Sequence, residues 1–214
     1  MAYFKCPSCG NFVDEAHNFC PNCGAPISLS TPEKPRTRPK IFRYILLLLV
    51  IGAAIWGYKQ YTIYNYRIDL HNAIYYSAES AGKTEDAGIL LISVWNNAYY
   101  RLEDEKTDKY TLDENGRFLD YQDARAAAIV SKEYSSAMKK AEENLQEAMS
   151  LMGNLTNPPK QYEEAYQQVK KFYTDCWEFY DFILHPTGDI EEYYKQFDEM
   201  RQGLVKQTYS LSVY

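Results

Sequence analysis

Four cysteines near the start of the chain are the residues best suited to chemistry. Cys6 and Cys9 form one Cys-Pro-x-Cys-Gly knuckle, and Cys20 and Cys23 form a second, with ten residues between the pairs. Thiolates are ligands that a structural zinc ion prefers, and four of them complete its tetrahedron. Cysteine fills all four positions, so none stays open for a catalytic water. The spacing predicts one structural zinc per chain on these four cysteines.

Residues 1–27 must position these thiols, and they are too few to bury a substantial hydrophobic core. The proline and glycine of each knuckle let the loop turn back, so that backbone amides point at the sulfurs. The free energy of metal binding then supplies the folding free energy of this small domain. His17 lies between the knuckles and is expected to be a surface histidine rather than a fifth ligand.

One apolar segment interrupts a polar chain whose mean hydropathy is −0.51. Fifteen uncharged residues lie between Arg43 and Lys59, which is about 22 Å of helix against a hydrocarbon core of about 30 Å. Snorkelling of the two flanking cations closes much of the gap. The pattern predicts a transmembrane helix over residues 41–58, and a buried helix of a soluble protein is the alternative.

The distribution of charge on either side of the span predicts its orientation in the membrane. The N-terminal flank of the apolar run carries five basic residues, whereas the C-terminal flank carries Lys59 and Arg67, so the positive-inside rule places the N-terminus in the cytoplasm. They are Lys34, Arg36, Arg38, Lys40 and Arg43. We expect a single-pass protein of the cell membrane with an uncleaved signal-anchor. Residues 28–40 are predicted to be a basic, proline-rich tether, and residues 59–214 an extracytoplasmic domain.

The extracytoplasmic part is acidic, with seventeen Lys and Arg against twenty-six Asp and Glu over residues 59–214. The first 27 residues carry Lys5 against Asp14 and Glu15, too little positive charge for phosphate contacts. We therefore expect the membrane bilayer and a protein as partners, and no nucleic acid. Ala53 and Gly57 form a small-xxx-small pair through which two spans could approach as a homodimer.

Apolar residues recur three and four positions apart after the span, which is typical of amphipathic helices. The clearest series is Tyr134, Met138, Ala141, Leu145, Ala148, Met152 and Leu155. Gly82-Lys83-Thr84 is a predicted break, Asp113 to Gly116 a predicted turn, and Asp189 a predicted helix cap. The fold class is therefore mainly α, with a small four-cysteine zinc domain, one transmembrane helix and an antiparallel bundle of about four helices.

A second series carries large aromatic side chains and has two interpretations. Tyr166, Val169, Tyr173, Cys176 and Tyr180 share one helix face and are predicted to lie in the bundle interior. Ile183 continues this face, and Phe172 and Phe179 widen it. Tyrosine can also line a binding groove, because it offers a flat apolar ring and a hydroxyl. A groove lined by Trp95, Tyr99 and neighbouring tyrosines would favour that second interpretation.

No arrangement of residues predicts catalysis. His71 and His185 lack a recognisable nucleophile motif, and the chain has no glycine-rich phosphate loop. Sites assembled from distant segments leave no such motif, so carboxylates clustered with either histidine would favour an enzyme. We expect a protein that is not an enzyme.

Two family resemblances agree with this organisation. The knuckles resemble the short zinc ribbon at the N-terminus of many membrane proteins of Gram-positive bacteria, which implies zinc on the four cysteines. Most of the segment over residues 85–200 resembles an uncharacterised family of extracytoplasmic helical proteins from Firmicutes. The residues that carry this resemblance are Ser93 to Ala98, Thr107 to Thr111, Asn157 to Tyr166 and Pro186 to Gly188. It implies a helical domain and no particular chemistry.

These features favour a membrane-anchored, non-enzymatic binding or sensing protein of the cell envelope with a cytoplasmic structural zinc ribbon. The first alternative is a structural envelope protein without a ligand. The second is an enzyme whose site is assembled in the helical domain.

Overall fold

A computed structural model describes residues 3–27 and 40–212 of the chain. The chain divides into two compact units, Met1–Gly52 and Ala53–Tyr214. Of the predicted tether over residues 28–40, all but Lys40 lies outside the described residues. The described part is mainly helical, as predicted.

The first unit contains a short antiparallel hairpin. Strand β1 (Tyr3–Lys5) pairs with strand β2 (Phe12–Asp14), and Phe4 lies opposite Val13. The hydrophobic core of the first unit consists of Cys6, Val13 and Cys20, and Phe4 and Ile27 pack against these side chains. This core is too small to hold the fold without a further source of free energy.

Helix α1 (Lys40–Tyr100) is a single helix that includes the predicted span. It is long and apolar enough to cross a membrane: its most apolar 18-residue window has a mean hydropathy of 1.9 and none of that window is buried. The predicted break at Gly82-Lys83-Thr84 is wrong, because the helix continues through it. An interior glycine costs a helix only about 1 kcal/mol, and the buried face that includes Ser80, Thr84 and Ala87 outweighs that cost.

The remaining elements follow after a connection. They are α2 (Asp108–Thr111), α3 (Tyr121–Ile129), α4 (Lys132–Asn154), a 3-10 turn (Lys160–Tyr162), α5 (Glu163–Leu184) and α6 (Ile190–Leu211). The predicted turn is present. The Gly116 amide donates a hydrogen bond to the Asp113 carbonyl at 3.0 Å, and Gly116 has a φ of 73°. The predicted cap is present too, since the Asp189 carboxylate accepts from the amides of Glu191 and Glu192.

Helices α4, α5 and α6 and the part of α1 beyond the apolar segment share one hydrophobic core. The Tyr66 hydroxyl donates to the Leu155 carbonyl at 3.0 Å, and the Ser80 hydroxyl donates to the Ala141 carbonyl at 2.9 Å. As α1 advances, its partner residues in and just after α4 therefore run backwards. All seven residues of the predicted α4 series, Tyr134 to Leu155, are buried.

Helix α6 also runs against α1. The Arg201 guanidinium contacts Glu85 at 3.3 Å, and farther along α1 the Tyr100 hydroxyl donates to Glu191 at 2.9 Å. Gly88 lets α6 approach closely, since a Cβ atom there would lie 2.5 Å from the ring of Phe197.

The buried face of α5 includes most of the predicted residues, but its centre lies beside two of the tyrosines, which pack at its edge. Val169, Cys176 and Tyr180 are buried as predicted, but Tyr166 and Tyr173 are only half-buried. The centre of the face is a series of smaller or fully apolar side chains. Its members are Ala165, Val169, Phe172, Cys176, Phe179 and Ile183. Phenylalanine occupies the centre because it needs no hydrogen-bond partner, whereas a tyrosine at the edge keeps its hydroxyl near solvent.

Candidate metal centre and binding cleft

The two cysteine knuckles have nearly identical backbones. The Gly10 amide donates to the Cys6 carbonyl at 2.8 Å, and the Gly24 amide donates to the Cys20 carbonyl at the same distance. Both glycines are left-handed, with φ of 75° and 67°, a conformation that a side chain would oppose. Each knuckle is therefore a tight turn that brings its two thiols to one side.

The sulfur positions fit a zinc ion. All four Sγ atoms lie within 4.8 Å of one another; the Sγ atoms of Cys6 and Cys23 are 3.8 Å apart and those of Cys9 and Cys20 are 3.6 Å apart. A Zn–S bond of about 2.3 Å gives a regular tetrahedron with sulfur separations of about 3.8 Å. The residues present therefore fit the metal that their spacing predicts.

Backbone amides in the second knuckle stabilise the thiolate form of cysteine, which is the form that binds a metal. The amides of Asn22 and Cys23 lower the pKa of the Cys20 thiol to about 7. At Cys23 the Ala25 amide lowers the pKa, but the neighbouring thiols of Cys9 and Cys20 outweigh it and raise that pKa to about 12. Four negative charges at these separations repel one another unless a cation lies among them. A divalent metal removes this conflict, and its role with four thiolates is structural.

The larger unit has a cleft where α1 ends and α6 begins. Its cavity volume is about 440 Å³. Its walls combine exposed tyrosine rings with carboxylates and amides, and none of its lining residues is Lys or Arg. They are Ile92, Ser93, Asn96, Asn97, Tyr100, Asp104, Ile190, Glu191 and Tyr194.

Hydrogen bonds fix the polar side chains of this cleft. The buried Asn97 amide donates to the Thr107 hydroxyl at 2.9 Å and lies 3.4 Å from the Asp104 carboxylate. The Tyr100 hydroxyl donates to Glu191, which holds the end of α1 against the start of α6. Tyr194 is 55% exposed and stays available for contact.

Trp95 and Tyr99, which would line a groove in the second interpretation of the sequence, lie in different environments. Trp95 is 1% exposed, with Tyr193 at 5.4 Å and the Arg125 guanidinium 4.6 Å from its ring centre, so it belongs to the core. Tyr99 is 53% exposed and packs edge-on against Tyr100 and Tyr121. Tyr100 and Tyr194 line the cleft instead. Sequence reasoning missed Tyr194, Glu191 and Asp104, because only the fold brings α6 and the connection to the end of α1.

A wider depression between α1 and α4 has a volume of about 830 Å³. Lysines and carboxylates alternate along it, and Lys83–Asp86 and Lys140–Glu143 are ion pairs exposed to solvent. Exposed pairs of this kind are solvated and contribute little to folding stability.

Among residues 3–27 and 40–212, the remaining candidates do not form reactive clusters. His71 is exposed, and His185 Nδ1 lies 3.1 Å from the carboxylate of Asp181, four residues earlier in the chain. Cys176 is buried, as predicted, and burial raises the pKa of its thiol well above the usual value, which makes it a poor nucleophile. Among the described residues, the four cysteines are the one group of three or more His, Cys, Asp or Glu side chains close enough to hold a metal.

Comparison with known families gives one match. Residues 2–27 match the zinc-ribbon domain, so the N-terminal segment is a zinc ribbon whose four cysteines form its metal site. The match lies within the first unit, Met1–Gly52, and includes none of the helical unit. Comparison with curated proteins gave no match, and comparison with solved structures gave none either.

Proposed function

We propose that the chain is a membrane-anchored, non-enzymatic protein that binds or senses a protein partner at the cell envelope. The zinc ribbon lies in the cytoplasm, the start of α1 spans the membrane, and the helical unit lies outside. The basic residues before the span, Arg43 among them, support this orientation. The reducing cytoplasm also keeps paired thiols available for metal.

In this proposal the extracytoplasmic unit is an antiparallel bundle of four helices. The support is the direction of contacts between neighbours. Early residues of α4 meet late residues of α5, since the Tyr134 hydroxyl donates to the Ile183 carbonyl at 2.8 Å. Phe182 near the end of α5 stacks on Tyr193 near the start of α6, with ring centres 4.4 Å apart. With the α1 contacts, each long helix runs against two neighbours.

The observation that carries the binding function is the cleft beside Tyr100 and Tyr194. Its acidic side chains, Asp104 and Glu191, attract a cationic group, and the tyrosine rings offer flat apolar contacts. A basic side chain of a protein partner, from lysine or arginine, fits this chemistry. The zinc ribbon carries too little positive charge to bind nucleic acid and acts as a folded cytoplasmic domain.

Photo-crosslinking in membranes tests the binding function. A photoreactive phenylalanine derivative replaces Tyr194 in the cleft, and in a matched chain it replaces Tyr209, which is 75% exposed and outside the cleft. We expect a discrete protein adduct from position 194 and none from position 209. Neutralising the cleft with Asp104→Asn and Glu191→Gln should abolish the adduct. Equal adducts at both positions, or an adduct that survives neutralisation, would contradict the proposal.

A further inference from the structure

Helix α1 has a second apolar face directly after the membrane segment. Its inner face enters the core through Tyr66, Leu70 and Ala73, which are buried. The outer face remains exposed on this chain, although it carries large apolar side chains at helical spacing. We call it the outer stripe: Gly57, Tyr61, Tyr64, Ile68, His71 and Tyr75.

The outer stripe has the spacing of a coiled-coil seam. Its members follow one another at intervals of four, three, four, three and four residues, so they stay on one side of α1. Tyr61, Tyr64 and Tyr75 are 63%, 62% and 55% exposed, and Ile68 is 40% exposed. A helix face of this kind is normally covered by a second helix.

We infer that the outer stripe is the contact between two parallel copies of this chain. The inference rests on the proposed membrane anchoring, because two copies that cross one membrane in the same direction present the stripe at the same height. Ala53 and Gly57 lie four residues apart on the same face as Tyr61. The small-xxx-small pair of the span therefore continues directly into the outer stripe. A second helix that packs against Ala53 and Gly57 also packs against the stripe.

The surface area is close to what a stable dimer requires. A fully covered tyrosine buries on the order of 150–250 Å². The exposed parts of the three tyrosines and Ile68 therefore amount to roughly 450 Å² on each chain, or about 900 Å² for the pair. A specific interface needs about 1,000 Å² or more, and contact between the spans supplies the rest.

The flanking charges also suit a second copy. In a parallel pair the residues beside the seam meet five positions apart, so Arg67 faces Asn72 of the other copy and Gln60 faces Asn65. No like charges meet at these flanking positions, and the amides can accept from the guanidinium. Charge repulsion therefore does not oppose a parallel homodimer.

Contact with lipid headgroups explains only part of the stripe. Tyr61 and Tyr64 lie close to the end of the span, where interfacial aromatic side chains belong. Tyr75 lies seventeen residues after Tyr58, about 25 Å farther along the helix, which is well beyond the headgroup region. A second copy of the chain, by contrast, covers Tyr61, Tyr64 and Tyr75 alike.

Site-specific crosslinking of the full-length chain in membranes tests the inference. Tyr64→Cys and Ile68→Cys place a thiol on the seam, whereas Thr62→Cys places one on an exposed position beside it. We expect a short bismaleimide to produce a covalent dimer from the two seam positions. We expect no dimer from Thr62→Cys or from the unsubstituted chain when a membrane-impermeant bismaleimide is added to intact cells. Cys176 is buried, and the exposed thiols of Cys9 and Cys23 belong to the metal site, which in the proposed topology lies on the cytoplasmic side.

Sedimentation equilibrium of the full-length chain in detergent measures the contact itself. The double variant Tyr61→Ser, Tyr64→Ser should raise the dimer dissociation constant by at least about tenfold, since two aromatic contacts are lost from each chain. Tyr209→Ser, at an exposed position outside the stripe, should leave the constant unchanged. A monomeric wild-type chain, crosslinking equal at Thr62→Cys, or crosslinks only to a different protein would overturn the inference.

Alkaline carbonate extraction separates this inference from the proposed function. A chain that stays in the membrane fraction but gives no seam crosslink refutes the dimer and leaves the anchoring intact. If carbonate releases the chain from membranes, the proposed anchoring is refuted, and the dimer inference is refuted too because it depends on that anchoring.

Discussion

Gly88 of helix α1 lies directly against the ring of Phe197 in helix α6. A Cβ atom at position 88 would lie 2.5 Å from Cε2 of Phe197 and 2.9 Å from Cδ1 of Ile183. Phe197 is 4% exposed and Ile183 is fully buried, so neither side chain has room to move away. The close approach of these helices depends on the absence of one methyl group.

Gly88→Ala should therefore destabilise the helical unit by about 1–3 kcal/mol, as expected for an overpacked core. Gly82→Ala is the matched control on the same helix, because a Cβ atom there meets nothing within 4 Å. Alanine at position 82 should stabilise the unit by about 0.5–1 kcal/mol, because alanine favours helix more than glycine does. Urea unfolding followed by circular dichroism measures both changes, and equal effects would refute the close packing.

Phe172→Ala should cost more stability than Tyr173→Ala. Phe172 is fully buried, so its truncation leaves a cavity and should cost about 3–5 kcal/mol. Tyr173 is half-buried and accepts a hydrogen bond from the Trp177 indole, so its truncation should cost less, about 1–2 kcal/mol. Chemical unfolding of the two variants decides the question, and the opposite order would restore the tyrosine-centred face predicted from sequence.

Loss of one thiol should remove zinc without unfolding the helical unit. Cys9→Ser takes away one of four ligands, so the metal content should fall from one zinc per chain to nearly none. Ser8→Ala in the same knuckle is the control and should retain the metal. Elemental analysis measures zinc, and the thermal midpoint of the helical unit should stay unchanged because that unit has its own hydrophobic core. Full zinc occupancy in Cys9→Ser would exclude the four-thiolate site.

Alkaline pH should unfold the helical unit in part through Tyr134. Burial raises the pKa of Tyr134 to about 12, and its hydroxyl donates to the Ile183 carbonyl. The unfolded tyrosine loses its proton near pH 10, whereas the folded one keeps it to about pH 12. This contribution to stability is therefore complete below pH 10 and is lost as the pH rises toward 12.

Tyr134→Phe removes the titrating group and should reduce the loss of stability between pH 10 and 12 by about 2 kcal/mol. Tyr209→Phe, at an exposed position, controls for the number of tyrosines. Urea unfolding at pH 9 and pH 11.5 measures the difference. An unchanged pH dependence in Tyr134→Phe would show that this hydroxyl does not contribute.

The metal site of the zinc ribbon could be predicted because ligand chemistry fixes both the residue type and the spacing, whereas its β-hairpin was not predicted. Residues 6–23 need only local turns to bring the four sulfurs together. The α4 face was equally predictable, since one regular series of apolar residues decides which side is buried. In both cases the information lies within one short segment.

Other features depend on contacts between distant segments. Thr84 and Ala87 hold α1 in one helix across a sequence that resembles a break, because the core buries them. Helix α3 was not predicted, since its alanines give little contrast between its two faces. The cleft was not predicted because Asn97, Asp104 and Glu191 meet only when α6 returns to the end of α1.

We propose above that the start of α1 crosses a membrane, with the zinc ribbon on one side and the helical unit on the other. Protease digestion of the full-length chain, tagged at both ends, in right-side-out and inside-out membrane vesicles tests it most directly. In right-side-out vesicles the C-terminal tag should be lost, while a fragment carrying the N-terminal tag and the ribbon should be protected. Inside-out vesicles should give the reverse. Loss of the ribbon in right-side-out vesicles, or loss of both tags in both preparations, would contradict the claim.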